Sequence, residues 1–296
     1  MPSLKEVRNR IVSVNSTKQI TAAMKMVSAA KLRRAQDAIT RMRPYAEKLQ
    51  QILSNVSASL DSSEGKYSQQ REVKKVLMVA IVSNRGLAGA FNTQVFRQIR
   101  RTAAQLESEG KTVHILPLGK KALDTYRRTK YFNPELPTDG ASLYDGLNFD
   151  KVAPKAELLM ELFANGTYDQ IVLVYNKFKN AAVQILMEEP YLPIAPPKAD
   201  EASAKTAPSK VDYIMEPSRE EIVENIIPKS LKIQLYKALL DSNAAEHGAR
   251  MTAMHKATDN ADSLLKGLKL TYNKARQASI TNEILEIVGG AEALKG

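Results

Sequence analysis

An α/β chain is predicted, with two long terminal helices bracketing a centre in which strands alternate with helices. Three observations carry this. Between Ser3 and Leu60 there is one proline, Pro44, and no glycine. After Pro228 no proline occurs up to Gly296. Between these stretches, short apolar runs of strand length are separated by helical patterns, the arrangement that gives a sheet covered by helices.

The N-terminal helix shows apolar or small residues at steps alternating four and three: Leu4, Val7, Ile11 and Val14, then Leu32, Ala35, Ile39, Met42, Ala46, Leu49, Leu53, Val56 and Leu60. That is a heptad seam. In the same register the positions between the two runs are Lys18, Thr21, Lys25 and Ser28, while Ile20, Met24 and Val27 lie off the seam. Over this stretch the helix is expected to face something other than its usual partner. Residues 1–60 also hold eleven basic side chains against three acidic ones, which places most of the chain's net charge of +11 there.

In the centre, Val76–Val82 is a continuous β-compatible apolar run, followed by a helical pattern to about Leu106 and a second strand over Val113–Leu116. A helix near 151–164 and strands at Ile171–Tyr175 and Val183–Met187 continue the alternation. Buried parallel strands covered by helices are the expected solution. Residues 193–210, rich in Pro, Ala, Ser and Lys without apolar periodicity, read as an exposed loop.

The C-terminal helix is expected from about Lys229 to Val288, with small residues every fourth position at Ala245, Ala249, Ala253, Ala257 and Ala261 and with Leu265 continuing the row. Small side chains let two backbones approach closely, so Ala22, Ala23, Ala29 and Ala30 of the first helix are the expected mates. Gly248 and Gly267 are each expected to weaken the helix by about 1 kcal/mol relative to alanine. The domain organisation expected is a helix over 1–60, an α/β domain over 70–192, an exposed loop with a possible return strand over 193–216, and a helix over 217–296.

Composition removes several classes of chemistry. With no cysteine there is no disulfide, thiolate metal site or cysteine nucleophile, and His114, His247 and His255 do not stand at the spacing that sets two ligands on one helix face. No run of eighteen apolar residues exists to span a membrane. The segment Ser83–Asn92, SNRGLAGAFN, follows a strand and precedes a helix, but it matches neither a dinucleotide fingerprint nor a phosphate-binding P-loop. Its glycines are expected to serve the turn and close helix packing. The carboxylate pairs Glu188-Glu189 and Glu220-Glu221 read as solvated. The basic run from Lys18 to Arg43 lacks any aromatic residue to stack on a base, so it reads first as a solvated helix face and next as a contact for a partner with an acidic loop, ahead of nucleic acid.

Both flanks carry a family resemblance: LKEVRNRIVSVNSTKQITAAMKMVSAAKLRRAQ at the start and ATDNADSLLKGLKLTYNKARQASITNEILEIVGGAEAL at the end. They look like the gamma subunits of F-type ATP synthases. Arg85-Gly86-Leu87 with Gly89 and Asn92 resembles the motif of that family's central domain, and Ile280-Thr281, Glu283, Glu286 and Gly290-Ala291 its C-terminal signature. The resemblance implies an antiparallel coiled coil of both termini, standing inside a ring of three alpha and three beta subunits, with a Rossmann-like α/β foot near the membrane. It implies a non-catalytic rotor shaft with no cofactor or metal, whose partners are the alpha, beta and epsilon subunits and the membrane c-ring.

Carried over by position, Met24 and Lys25 resemble residues that pass the acidic lever loop of a beta subunit, with Arg250 close by. Arg276, Gln277, Thr281 and Glu283 resemble the family's upper contact cluster. Ala88 stands where some relatives carry cysteine, which implies packing and not chemistry there, and the loop at 193–210 lacks the dithiol of plastid relatives and is not expected to act as a redox switch. Without a transit-like leader, a bacterial protein peripheral to the cytoplasmic face of the inner membrane is expected. Two other classes compete: a self-associating coiled-coil scaffold, which predicts a stable homodimer, and a nucleotide-binding enzyme built on the central domain, which predicts tight binding of ATP or NAD.

Overall fold

The computed structural model describes residues 3–57, 66–69, 71–194 and 219–293. The loop and return strand expected at 193–216 lie almost entirely outside the described residues. The chain divides into two compact units: residues 1–29 with 250–296, and residues 30–249.

The larger unit is built on a four-stranded sheet. The strands are β1 (Lys75–Ile81), β2 (Thr112–Leu118), β3 (Gln170–Phe178) and β4 (Gln184–Leu192), in the order β2-β1-β3-β4. β1 runs parallel to both β2 and β3. The continuous apolar run forms the central strand because both its faces are covered. Leu77, Val79 and Ile81 point to one face, where they meet Val152, Ala156, Leu159 and Phe163 of α4 (Phe149–Ala164) and Leu231, Leu235 and Leu239 of the C-terminal helix. Val76, Met78, Ala80 and Val82 point to the other. There they meet Val95, Ile99 and Ala103 of the helix Phe91–Ser108, α2, and Ala122 and Tyr126 of the short helix Lys120–Tyr126, α3. This is the period-two alternation of a strand set between two helical layers.

β4 departs from the parallel arrangement expected, since it pairs antiparallel with β3. The reason is the connection, Lys179–Val183, whose five residues cannot hold a crossover helix. Asn180 shapes the turn by accepting from the backbone N–H of Ala182 (3.0 Å) and Val183 (2.7 Å).

Two terminal helices complete the chain: α1 (Leu4–Ser57) and α5 (Arg219–Ala293), which run through Pro44 and Pro228 respectively. In the smaller unit their outer parts lie antiparallel, because contacts pair rising numbers with falling ones: Lys18 with Asp262, Thr21 with Thr258, Lys25 with His255. The alanine row divides between surroundings. Ala245 and Ala249 pack with Ala88, Phe91 and Phe178 of the central domain, while Ala261 and Leu265 are buried in the smaller unit. Ala23, Ala29 and Ala30 are exposed and are not the mates expected for it. Gly248 has a positive reason to be glycine: a Cβ there would stand 3.2 Å from both the Cα and the carbonyl oxygen of Ala181.

Candidate functional site

The segment of α1 expected to turn away from its usual partner does not do so. Thr21 and Ser28 are buried, and the four polar positions keep the heptad register facing α5. Lys18 forms an ion pair with Asp262, which also receives Lys266 at 3.1 Å from one turn away. The Lys18 ammonium, with Lys266 beside it, holds the Asp262 carboxyl below the usual carboxylate range. The Thr258 hydroxyl donates to the Thr21 hydroxyl oxygen at 2.9 Å, and Ser28 donates back to the Met24 carbonyl at 2.7 Å. A heptad seam read only for apolar residues misses this, because polar side chains satisfy one another across it. Of the apolar residues left off the seam, Ile20 is 59% exposed and Val27 56%, while Met24 is half-buried.

The resemblance-derived contact residues fall into three surroundings. Met24 and Lys25 are half-buried, and the Lys25 ammonium lies 3.4 Å from His255 Nδ1, which is itself 3.4 Å from the Asp259 carboxylate. His255 and Asp259 were not anticipated, and no signal local to the sequence pairs them with Lys25, some 230 positions away. Arg250 is buried at 8% exposure and interacts within the chain, so it is not offered freely to solvent.

Arg276, Gln277, Thr281 and Glu283 are all exposed on the last turns of α5. Helix geometry puts Arg276 and Glu283 on one line and Gln277 and Thr281 on another, roughly 100° or more around the axis, so they form two adjoining edges of one broad face. The Thr281 hydroxyl already donates to the Gln277 carbonyl at 2.9 Å, and Ser279 donates to Glu283 at 3.3 Å. Thr281 therefore has only its acceptor lone pairs to offer a partner. From Ile280 the helix lacks cover among the described residues: every residue to Ala291 is exposed, including Ile284, Leu285, Ile287 and Val288.

The Ser83–Asn92 segment of the central domain closes on itself. Asn92 Oδ1 accepts from the Ser83 N–H at 3.0 Å, Asn92 Nδ2 donates to the Ser83 hydroxyl oxygen at 2.8 Å, and Ser83 Oγ donates to the Arg85 carbonyl at 2.7 Å. The Asn84 side chain bridges outward, donating to the Ala141 carbonyl and accepting from the Lys120 N–H. Gly89 takes φ +58°, as a turn glycine should, but close packing is supplied by Ala88, which is buried against Ala245 and Ala249. Leu87 also has a positive φ, +62°, and is 67% exposed, an apolar side chain held outward in a conformation that L-residues rarely adopt.

Among the described residues, no group of three or more His, Asp or Glu side chains is placed to hold a metal, and no helix is long and apolar enough to cross a membrane. The most shifted titrations belong to packing. Burial pushes the Tyr126 hydroxyl up to about 12, and burial likewise raises Tyr144, Tyr175 and Tyr191. Burial lowers His114, whose ring meets Tyr168 edge-on with Nδ1 3.0 Å from the hydroxyl.

Comparison with known proteins gives a consistent result. The family model described as ATP synthase matches residues 3–294. The ATP synthase gamma chain of Flavobacterium psychrophilum is 59% identical over the whole of both chains, and that of Flavobacterium johnsoniae is also 59% identical over both. Among solved structures, a chain of the Euglena gracilis mitochondrial ATP synthase (OSCP/F1/c-ring, rotational state 3) superposes with a TM-score of 0.66 at 23% identity. That match covers 98% of this chain and 94% of the other, and at such identity it speaks for the fold.

Proposed function

The chain belongs to the gamma-chain family of ATP synthases, and from that premise we propose that it is the central rotor shaft of the enzyme, coupling proton translocation through a membrane ring to ATP synthesis and hydrolysis in an alpha/beta hexamer. It performs no chemistry itself. The observation that carries this reading is the uncovered apolar end of α5, Ile280 to Val288, together with the exposed Val12, Ile20, Met26 and Val27 of α1. A helix that is apolar on its exposed faces needs an enclosing surface. A sleeve of partner subunits supplies it.

In this reading the two helices present a different face to each of several identical catalytic subunits. A contact favourable in one rotary position shifts that subunit's conformational population, and rotation passes the shift to the next. Met24 and Lys25 on α1, with Arg250 close by on α5, and the Arg276–Glu283 face of α5 are the proposed contacts. The epsilon subunit and the membrane c-ring are the proposed partners of the central domain, on the cytoplasmic face of the bacterial inner membrane.

Copurification tests the proposal. A tagged chain expressed in its own cells should bring down alpha and beta subunits in equal amounts, each in excess over the chain, and the purified chain alone should hydrolyse no ATP. Recovery of a partner-free homodimer by light scattering would favour the scaffold alternative and refute the rotor reading.

A further inference from the structure

On the α2 side of the sheet, Gln94, Arg97, Gln98 and Arg101 fall at i, i+3, i+4 and i+7 and so share one helix face. Opposite them stand Gln184 and Leu186 of β4, and the six side chains line a hollow of about 220 Å³. That volume is below the usual range for organic ligands and suits a small ion. Five of the six side chains carry hydrogen-bond donors, two guanidinium groups and three carboxamides, and Leu186 supplies an apolar wall.

Neither the Arg97 nor the Arg101 guanidinium forms a hydrogen bond or ion pair among the described residues. Nearby lysines are matched, Lys130 to Glu107 and Lys111 to Glu109, each at 2.6 Å. Arg97 and Arg101 instead stand one helical turn apart as unrelieved like charges, a pairing that disfavours the empty site. The frame around them is fixed. Gln98 Nε2 donates to Glu188 Oε2 at 2.7 Å and Thr102 Oγ1 donates to the same oxygen at 2.9 Å.

We propose that this hollow binds a tetrahedral oxyanion of the phosphate class, gripped by Arg97 and Arg101 and flanked by the carboxamides of Gln94 and Gln184. Paired guanidinium groups match phosphate oxygens in both charge and donor geometry. Glu188, at the border, offsets part of the positive field and keeps the affinity low. Two sources share this chemistry, free orthophosphate and the terminal phosphate of a nucleotide. The proposal stands apart from the rotor reading, since phosphate uptake by the chain is measured without partner subunits.

Equilibrium dialysis of the purified full-length chain against radiolabelled orthophosphate, at about 0.15 M salt to suppress diffuse attraction, tests it. One saturable equivalent is expected. R97Q/R101Q should weaken it by at least about tenfold, since each lost charge-assisted contact carries roughly that factor. R127Q/R128Q, which removes the same charge elsewhere on the domain, should leave it unchanged. E188Q should strengthen it severalfold, and this opposite sign decides the matter even if the double arginine variant fails to fold. Displacement of orthophosphate by lower concentrations of ATP identifies a nucleotide as the source, and failure to displace identifies free phosphate. Absence of saturable uptake at this salt, or equal uptake by wild type and a folded R97Q/R101Q, overturns the proposal.

Discussion

Replacing Gly119 by alanine should destabilise the central domain more than any other glycine-to-alanine change in it that leaves the helices intact. Gly119 joins β2 to α3 at φ +126° and ψ 143°, a conformation essentially reserved for glycine. A Cβ there would stand 2.1 Å from the Val82 carbonyl oxygen and 2.9 Å from its carbon, both backbone atoms with no rotamer to change. Relief requires the ends of β1 and β2 to separate, which strains the bonds from Val82 N to Leu118 O (3.0 Å) and Lys121 N to Ser83 O (3.2 Å). The backbone strain costs about 1–3 kcal/mol. Each weakened hydrogen bond adds up to about 0.5–1.5 kcal/mol. The expected loss is therefore roughly 2–6 kcal/mol, a large share of the ~5–15 kcal/mol that holds an ordinary domain together. Urea unfolding followed by tyrosine fluorescence measures it well, because the chain has no tryptophan and Tyr126, Tyr131, Tyr144, Tyr168, Tyr175 and Tyr191 all report on this domain. Gly110→Ala is the comparator: φ is +78° but nothing lies within 4 Å of the new Cβ, so about 1 kcal/mol is expected. A G119A midpoint no lower than that of G110A would refute the steric argument.

Three further outcomes are expected. Met24→Lys, on the half-buried surface beside Lys25, should leave assembly intact but overstabilise one rotary position by about 1.5–3 kcal/mol, so that reconstituted membranes hydrolyse ATP while pumping protons poorly; normal pumping per ATP would remove Met24 from the contact. Replacing Gln277 and Thr281 together by alanine should preserve the helix, since alanine is the better helix former at both and the Thr281 hydroxyl donates only to its own helix, while ATP-driven turnover of the assembled complex changes severalfold; wild-type turnover would make this face purely structural. Tyr126 ionises at about 12 in the folded chain because burial against Phe96 disfavours the phenolate, so its stabilisation is complete below pH 10, the ordinary tyrosine value, and is lost as pH rises toward 12; Tyr126→Phe should lessen the fall in stability over that interval, and an unchanged slope would show that other groups dominate it.

Much of the fold was legible because its signals are local. The apolar run at 76–82 read as a strand buried on both faces, and the flanks, nearly free of proline, read as long helices. Pro44 and Pro228 proved compatible with helix, so the C-terminal helix starts at Arg219, before the Lys229 read from the proline-free stretch and close to the 217 expected as its domain boundary. The antiparallel setting of β4 was implicit in the short gap between Tyr175 and Val183, which leaves no room for a crossover. α3 was not legible: seven residues carrying Lys120, Lys121 and Asp124 show no periodic face, and its position depends on Gly119 fitting beneath the Val82 carbonyl. The candidate contacts were legible only through resemblance. Nothing near Lys25 points to His255, because that contact depends on which residues α1 and α5 bring together, and nothing near Arg250 in the sequence shows that it is buried. Gly248, read as a weakness in its helix, is instead where the helix comes close to the β3–β4 turn.

The polar stretch of the helix pair has a mechanical consequence. A seam of identical leucines can slide by one heptad and pack nearly as well as before. Here sliding by one turn in one direction would bring Lys18 against Lys266, and in the other against Thr258 with the Asp262 carboxylate left behind. Thr21 would lose the hydroxyl that bonds it in either case. The two helices are thus toothed against each other, like a rack that meshes at one setting only. A twisting load applied at one end of such a pair cannot dissipate as axial slip, and it arrives at the other end as rotation.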